Sequence, residues 1–391
     1  MTEDTSVNTE FDIELPDDIP LPTEAVDKTI KDTFDGAFNF CFVGSGQGGG
    51  RLAQTFYETG YQRVCAVNTS DQDMRSLTLP KVNQYIMGGG GAGKQPEVAD
   101  HVFRQHREDV LDLMRRSFGP EFDRIFVCVG AGGGTGAGTA VPLVYTAKEL
   151  QAVTRMDDNP VGVIVALPQN SEGRRVCANA HSVLRDMLQL VNDGVVSPLI
   201  ILDNDRIRTI YPGLAVDPFW NTANRSIVSI FHLFNVTSSK PSSYTSFDPT
   251  DFKTILDSGT IVFGATPVKD WSDSTAISYA IRDNLKKNML AGGIDLATGK
   301  IAGAIVIGGK EVLAQVPHET LDHGFDQLTR ILAPRNVVHR GIYSGNKPTL
   351  AVYTIIGGLG KPIERIAELS QLGGSDVKRK SATDFNYWNR S

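Results

Sequence analysis

The chain has 391 residues and a mass of 42.4 kDa, with 41% hydrophobic and 21% charged residues and a formal net charge of −7. Those figures fit a globular protein of two domains or one large one, and no run approaches the ~18 continuous apolar residues of a membrane span. The negative balance argues against sequence-independent nucleic-acid binding as the main task, so a nucleic-acid partner is not indicated.

Residues 1–35 hold 11 acidic residues and 2 lysines, a net of −9 that leaves the remaining chain at +2. With Pro16, Pro20 and Pro22 and few large apolar residues, this arm is expected to be disordered. FNFCFVG (38–44) then predicts a strand, and GRLAQTFYETG (50–60) a helix. RVCAVN (63–68) and NQYIMG (83–88) are the next strands. An amphipathic stretch at 97–118 precedes the strand RIFVCVG (124–130). A helix is expected over 139–153, and strands over VGVIVALP (161–168) and PLIILDN (198–204). Continuous apolar strands alternating with helices predict a parallel, doubly wound α/β sheet.

The texture changes after that. PFWNTANRSIVSIFHLFN (218–235) predicts one long helix. A Ser/Thr/Pro-rich loop leads to FKTILDSGTIVFGATP (252–267). Helices are expected over 273–291 and 317–332, and strands over IAGAIVIGG (301–309) and TLAVYTIIGG (349–358). Residues 371–391 form a second candidate tail. The four cysteines make no CxxC pair. Cys41, Cys65 and Cys128 fall within strands and Cys177 on a probable helix, which predicts buried thiols and a reduced, cytoplasmic setting.

Glycine is in excess, 39 residues or about 10% against a usual ~7%. Sixteen of these lie in three short segments: GSGQGGG (44–50), GGGGAG (88–93) and GAGGGTGAG (130–138). Each follows a predicted strand and precedes a predicted helix. In a parallel sheet such segments sit at the carboxyl edge, where backbone N–H groups and helix N-termini can receive phosphate. Three converging on one edge predict a phosphate-rich nucleotide.

Two familiar motifs compete for these segments. Gly44, Gly46 and Gly49 match the GxGxxG dinucleotide fingerprint, which would make the chain an NAD(P)-dependent oxidoreductase. The expected ribose carboxylate at the end of the second strand is replaced by Asn68. GGGGAGK (88–94) matches P-loop spacing, but Gln95 stands where a hydroxyl should bind magnesium.

GGGTGAG (132–138) decides between them, because it matches the tubulin signature. Over roughly 36–370 the sequence resembles the tubulin/FtsZ superfamily, including its CetZ- and TubZ-like branches. The resemblance implies a Rossmann-like GTP-binding domain (36–215), a central helix (216–239), a smaller α+β activation domain (240–370) and a tail (371–391). It implies GTP or GDP with Mg²⁺ as cofactors. The phosphate loops would use Gly46, Gln47, Gly48, Gly49, Asn68, Gly90, Gly91, Ala92, Gly93, Gly132, Gly133, Gly134, Thr135 and Gly136, with Gln47 near the metal. LPQNSEGRR (167–175) resembles the ribose loop, with Glu172 as the ribose contact. Val176 stands where the family arginine usually lies, and Arg174 or Arg175 can substitute. Asn204 resembles the residue that reads guanine. Trp220 and Asn224, four apart on one helix face, would stack on the base and bond its edge.

SFDPTDF (246–252) resembles the family's catalytic segment, with Asp248 and Asp251 in its acidic positions and Ser246 replacing an Asn. By themselves two Asp at this spacing read as a helix N-cap and a solvated charge. The resemblance implies that they act in trans on the nucleotide of the next subunit in a head-to-tail filament. The alternative within the family is a nucleotide-binding scaffold with little hydrolysis. TDFNYWNRS (383–391) has the acid, aromatic and basic order of an adaptor-binding tail, so an adaptor protein is a second expected partner. Direct membrane insertion is not expected.

Overall fold

The computed structural model describes residues 35–374, apart from 89, 156–158, 211–215, 274, 287–292 and 333–335. The acidic arm up to residue 34 and the tail from 375 onward lie outside the described residues.

The first half is a repeated strand–helix winding. β1 (Phe40–Ser45) runs into α1 (Gly46–Glu58), and β2 (Val64–Asn68) into a short α2 (Asp71–Arg75). β3 (Gln84–Ile86) is followed by α3 (Pro96–Gln105) and α4 (Arg107–Phe118). β4 (Arg124–Gly130) leads to α5 (Thr135–Arg155), and β5 (Val161–Leu167) to α6 (Arg174–Asn192). β6 (Val196–Asp203) ends at α7 (Asn204–Ile210), before the long α8 (Val216–Thr237).

The second half opens with α9 (Pro249–Leu256) and β7 (Thr260–Val268). α10 (Ala276–Lys286), β8 (Ile301–Gly309), α11 (Lys310–Leu313) and α12 (His318–Ile331) follow. β9 (Val337–Gly345), β10 (Leu350–Leu359) and α13 (Ile363–Gly373) close the described chain.

The strands form one ten-stranded sheet in the order β3-β2-β1-β4-β5-β6-β7-β10-β8-β9. β3 to β6 are all parallel. Two residue pairs, Leu199–Thr260 and Ile200–Ile261, carry the sheet across from β6 to β7. β10 is antiparallel to both β7 and β8, and the edge strand β9 is parallel to β8.

Strands β1, β2, β4, β5 and β6 are buried on both faces, which is why they read as apolar runs, while the edge strand β3 is not. Alternate residues of β1 separate the two cores. Phe40 and Phe42 enter an aromatic cluster with Phe56 of α1 and Phe231 of α8. Cys41 and Val43 face the opposite core, built with α4, α5 and α6. All four cysteines are free and buried, and burial raises their thiol pKa values.

Several sequence expectations change in detail. The amphipathic stretch 97–118 is two helices, broken at His106, where the backbone leaves helical geometry (φ −109°, ψ 12°). The helix expected over 273–291 is described as α10, from Ala276 to Lys286. β9 has no counterpart among the expected strands. Residues 371–373, read as part of a tail, belong to α13.

Candidate functional site

The first glycine-rich segment is helical from Gly46, and the third is a turn over Ala131–Gly134 that leads into α5. Gly46–Gly50 form the first turn of α1, and Thr135–Gly138 begin α5. Glycine is needed there for approach. A Cβ on Gly49 would lie 2.1 Å from the carbonyl oxygen of Cys128 in β4, and one on Gly136 2.5 Å from that of Gly130. A Cβ on Gly46, which has φ +70°, would lie 2.9 Å from the Gly136 nitrogen. The starts of α1 and α5 therefore pack backbone to backbone. Their N-termini open at the carboxyl edge of the sheet, with Gln47, Gly48 and Gly133 exposed.

The second segment joins them from the side. Gly90, Gly91, Gly93 and Lys94 all have positive φ. A Cβ on Gly134 would lie 2.8 Å from the Cβ of Ala92, so this segment rests directly on the third. Its helix starts at Pro96, beyond Lys94, so GGGGAGK does not enter a helix as a P-loop does. Buried polar groups tie the segments together. Thr69 Oγ1 and Thr135 Oγ1 are 2.7 Å apart, and Ser45 Oγ and Thr139 Oγ1 2.6 Å apart. Gly91 N donates to Thr69 O at 2.9 Å. Asn68 is buried, and its Oδ1 accepts from Ser70 N at 3.1 Å, so it shapes its own turn.

The expected ribose and base groups surround the same edge. Glu172 is exposed and accepts from Gln169 N at 2.7 Å, closing a capping box in its 3-10 turn. Arg174 and Arg175 are both exposed, and Arg174 donates to Gly373 O at 3.1 Å and so faces α13. Val176 is buried beneath Gly132, where a Cβ would meet its Cγ1 at 2.4 Å. Of the two candidate replacements for the expected arginine, Arg175 has the open position. Asn204 is buried at the start of α7, and Trp220 and Asn224 are half-buried on α8.

Asp248 and Asp251 lie elsewhere. Asp248 caps α9, with Oδ1 accepting from Asp251 N at 2.9 Å, and Asp251 Oδ2 accepts from Asp248 N at 3.1 Å. His339 Nδ1 lies 2.6 Å from the other oxygen of Asp251. Both Asp251 oxygens are thus engaged within the chain, while Asp248 is exposed.

α9 sits at the amino-terminal edge of the parallel strands. Phe252 meets Phe38, just before β1, with ring centroids 6.2 Å apart. Arg124, the first residue of β4, donates to Ser197 O at 3.1 Å and Leu256 O at 3.4 Å, and pairs with Asp257. The glycine segments follow the opposite ends of the same strands. The two halves of the expected site therefore lie on opposite edges of the sheet in one chain.

The description "Tubulin/FtsZ family, GTPase domain" matches residues 29–212, and that of the TubZ-like C-terminal domain of Tubulin/FtsZ-like proteins matches 234–370. The chain belongs to the tubulin/FtsZ family. It is 25% identical over 294 residues to cell division protein FtsZ 1 of Archaeoglobus fulgidus, covering 73% of each chain. It is 26% identical over 301 residues to FtsZ of Haloferax mediterranei, covering 74% of this chain and 72% of that one. Its fold is similar to that of TubZ from Bacillus thuringiensis serovar israelensis in a GTPγS-form protofilament. There the TM-score is 0.75 at 19% identity, with 88% and 92% of the two chains covered. It also resembles GDP-bound CetZ1 of Haloferax volcanii, with a TM-score of 0.69 at 22% identity and coverage of 86% and 98%.

Family membership makes the first half a GTPase domain, and three further groups in this chain serve that domain. Asn179 on α6 donates from Nδ2 to Lys94 O at 3.1 Å and Gly132 O at 3.2 Å, clamping two glycine segments to each other. Arg365 on α13 is buried and donates to Pro168 O at 2.7 Å, and also to Asn170 Oδ1 and Glu368 Oε2. Its Nε lies 3.0 Å from Asp203 Oδ2, an ion pair without hydrogen-bond alignment. Burial pushes the Asp203 carboxyl up to about 6, against the opposing pull of Arg365. Asn179 shares the buried face of α6 with Ser182 and Asp186, so its polarity alone did not single it out. Arg365 carried no signal either, because Pro168, Asn170 and Asp203 all lie far from it in the sequence.

Among the described residues no cluster of three or more His, Cys, Asp or Glu could hold a metal. Gln47, the residue expected near a metal, is exposed at the start of α1.

Proposed function

We propose that this chain is a cytoskeletal GTPase that polymerises head to tail and hydrolyses GTP between subunits. The observation that carries the reading is the placement of the glycine segments and Asp248 on opposite edges of one sheet. β4 alone has seven residues, about 20 Å of strand, so Asp248 cannot reach a nucleotide held by its own chain. A second copy stacked on the nucleotide edge would bring its own Asp248 there. Such an interface joins unlike surfaces and does not close, so it propagates as a filament.

In the assembled site, Gly46–Gly49, Gly90–Gly93 and Gly132–Gly136 would hold the phosphates through backbone donors. Glu172 and Arg175 would contact ribose and neighbouring phosphate. Asn204, Trp220 and Asn224 would hold guanine. Gln47 would lie near a bound Mg²⁺, which would supply charge neutralisation. The incoming Asp248 orients and polarises the attacking water, and Asp251 fixes the loop that presents it. Phosphoryl transfer mainly needs positioning and charge stabilisation, which this set supplies. The role in the cell would be division, shape, or DNA segregation or positioning. A cytoplasmic location and an adaptor bound through residues 383–391 fit this reading.

Asp248→Ala tests it. The variant should bind GTP and sediment as polymer, with turnover per polymerised subunit reduced on the order of 100-fold. Loss of the N-cap should cost about 1 kcal/mol of stability. Wild-type turnover in Asp248→Ala polymers would sink the assignment.

A further inference from the structure

The loop bearing Asp248 and Asp251 is moulded on one face of the edge strand β9. Alternation along the strand puts His339, Gly341 and Tyr343 together. The Tyr343 hydroxyl accepts from Phe247 N at 2.9 Å and donates to Phe247 O at 3.1 Å. Gly341 leaves no room for a side chain, since a Cβ would lie 2.8 Å from that of Phe247. Ile342 N donates to Thr245 O at 2.8 Å, adding a backbone bridge. The third member of the face, His339, reaches Asp251 itself at 2.6 Å.

The surroundings of His339 restrict what it can do. Its ring stands edge-on to Phe247, with centroids 6.4 Å apart. Its Nε2 is buried with no hydrogen-bond partner among the described residues. The imidazole therefore has one polar contact on this face, through Nδ1, and that contact is the carboxylate. A ring that donates from Nδ1 leaves Nε2 as an acceptor, and no N–H is orphaned.

We propose that His339 is a positioning residue for GTP hydrolysis. It holds Oδ1 of Asp251, which keeps Oδ2 on the Asp248 backbone and so fixes the direction in which the Asp248 carboxylate leaves the loop. Without the Nδ1 donor, Asp251 is anchored by one oxygen only, and the reciprocal cap with Asp248 loosens. The proposal rests on the head-to-tail reading, in which Asp248 serves the nucleotide of the next subunit. His339 touches neither nucleotide nor water in that scheme.

The test compares His339→Leu, which removes the donor, with His339→Asn, whose amide can donate from nearly the Nδ1 position. Phosphate release per polymerised subunit, the assembly threshold by sedimentation, and GTP affinity of the unpolymerised chain are measured for each. His339→Leu should lower turnover on the order of 10-fold, because small misplacements of a reacting group are costly. His339→Asn should recover most of the loss, and GTP affinity should be unchanged in both, since the nucleotide lies at the other edge. Wild-type turnover in His339→Leu overturns the proposal, as does equal slowing by Leu and Asn. If the Leu variant does not fold, His339→Gln replaces it, because its longer amide cannot donate from the Nδ1 position. Asp248→Ala, run alongside, separates the two ideas. Normal hydrolysis in that variant removes the trans reading altogether. Loss of hydrolysis in Asp248→Ala beside a fully active His339→Leu removes only the positioning role.

Discussion

Asp203 and Arg365 show how a single buried pair can set both stability and site geometry. Arg365 spreads its guanidinium over the ribose loop through Pro168 and Asn170, and Asp203 lies immediately before the expected guanine reader Asn204. The Asp203 carboxyl titrates at about 6 in the folded protein, raised by burial, against about 3.9 in an unfolded chain. The folded state therefore keeps a proton that the unfolded state gives up. The resulting stability is fully present below about pH 4 and is lost as the pH rises through about 6. Denaturant midpoints across this range should show the wild type losing ground to Asp203→Asn as the pH rises. A gap between the two that stays constant with pH would contradict the assignment. Neither residue was legible as functional in the sequence, where each is one charge in an ordinary element. Asp248 and Asp251 were legible only through their spacing and resemblance, and the different engagement of their oxygens needed the structure.

At the level of elements, the glycine segments are of two kinds. Gly90–Lys94 and Ala131–Gly134 are the turns and bends that their sequence suggests. Gly49 and Gly136 are instead helical glycines that let α1 and α5 press against strand backbone. Gly133 differs from both. It is exposed, and a Cβ there would meet nothing within 4 Å. Gly49→Ala should therefore fail to fold or melt far below wild type, since backbone must shift to admit the methyl. Gly133→Ala should lose no more than about 1 kcal/mol of stability and, if the proposed site is right, still weaken GTP binding, because the methyl would enter the space proposed for phosphate. Equal melting temperatures for the two variants would refute this distinction. The buried parallel strands were readable because both faces are apolar. β9 was not, because VVHRGIYSG lies at an edge and mixes His, Arg and Ser with its apolar residues. α13 was passed over for a similar reason, since only one face is covered and its key contact is a charged residue.

At the scale of the molecule, α8 joins the two edges. It has 22 residues, about 33 Å of helix. Near its C-terminal end, Asn235 exchanges hydrogen bonds of 3.0 Å with the backbone N and O of Phe38, at the amino edge of β1. Trp220 and Asn224 lie in its first half, 15 and 11 residues towards the other edge. One rigid element thus spans from the expected base pocket to the level of α9. If hydrolysis requires a neighbour, turnover per subunit should be near zero at low protein concentration and rise steeply above a threshold. A turnover that is flat across that range would show that each chain works alone.

The placement of the two half-sites on opposite edges also has an arithmetical consequence. If the head-to-tail proposal holds, a filament of n subunits contains n − 1 completed sites. The subunit at the exposed nucleotide end would then keep a triphosphate that no neighbour can cleave. In a population left to run to completion without exchange, the uncleaved remainder is a census of filament ends. Divided into the total bound nucleotide, it yields the mean number of subunits per filament from chemistry alone.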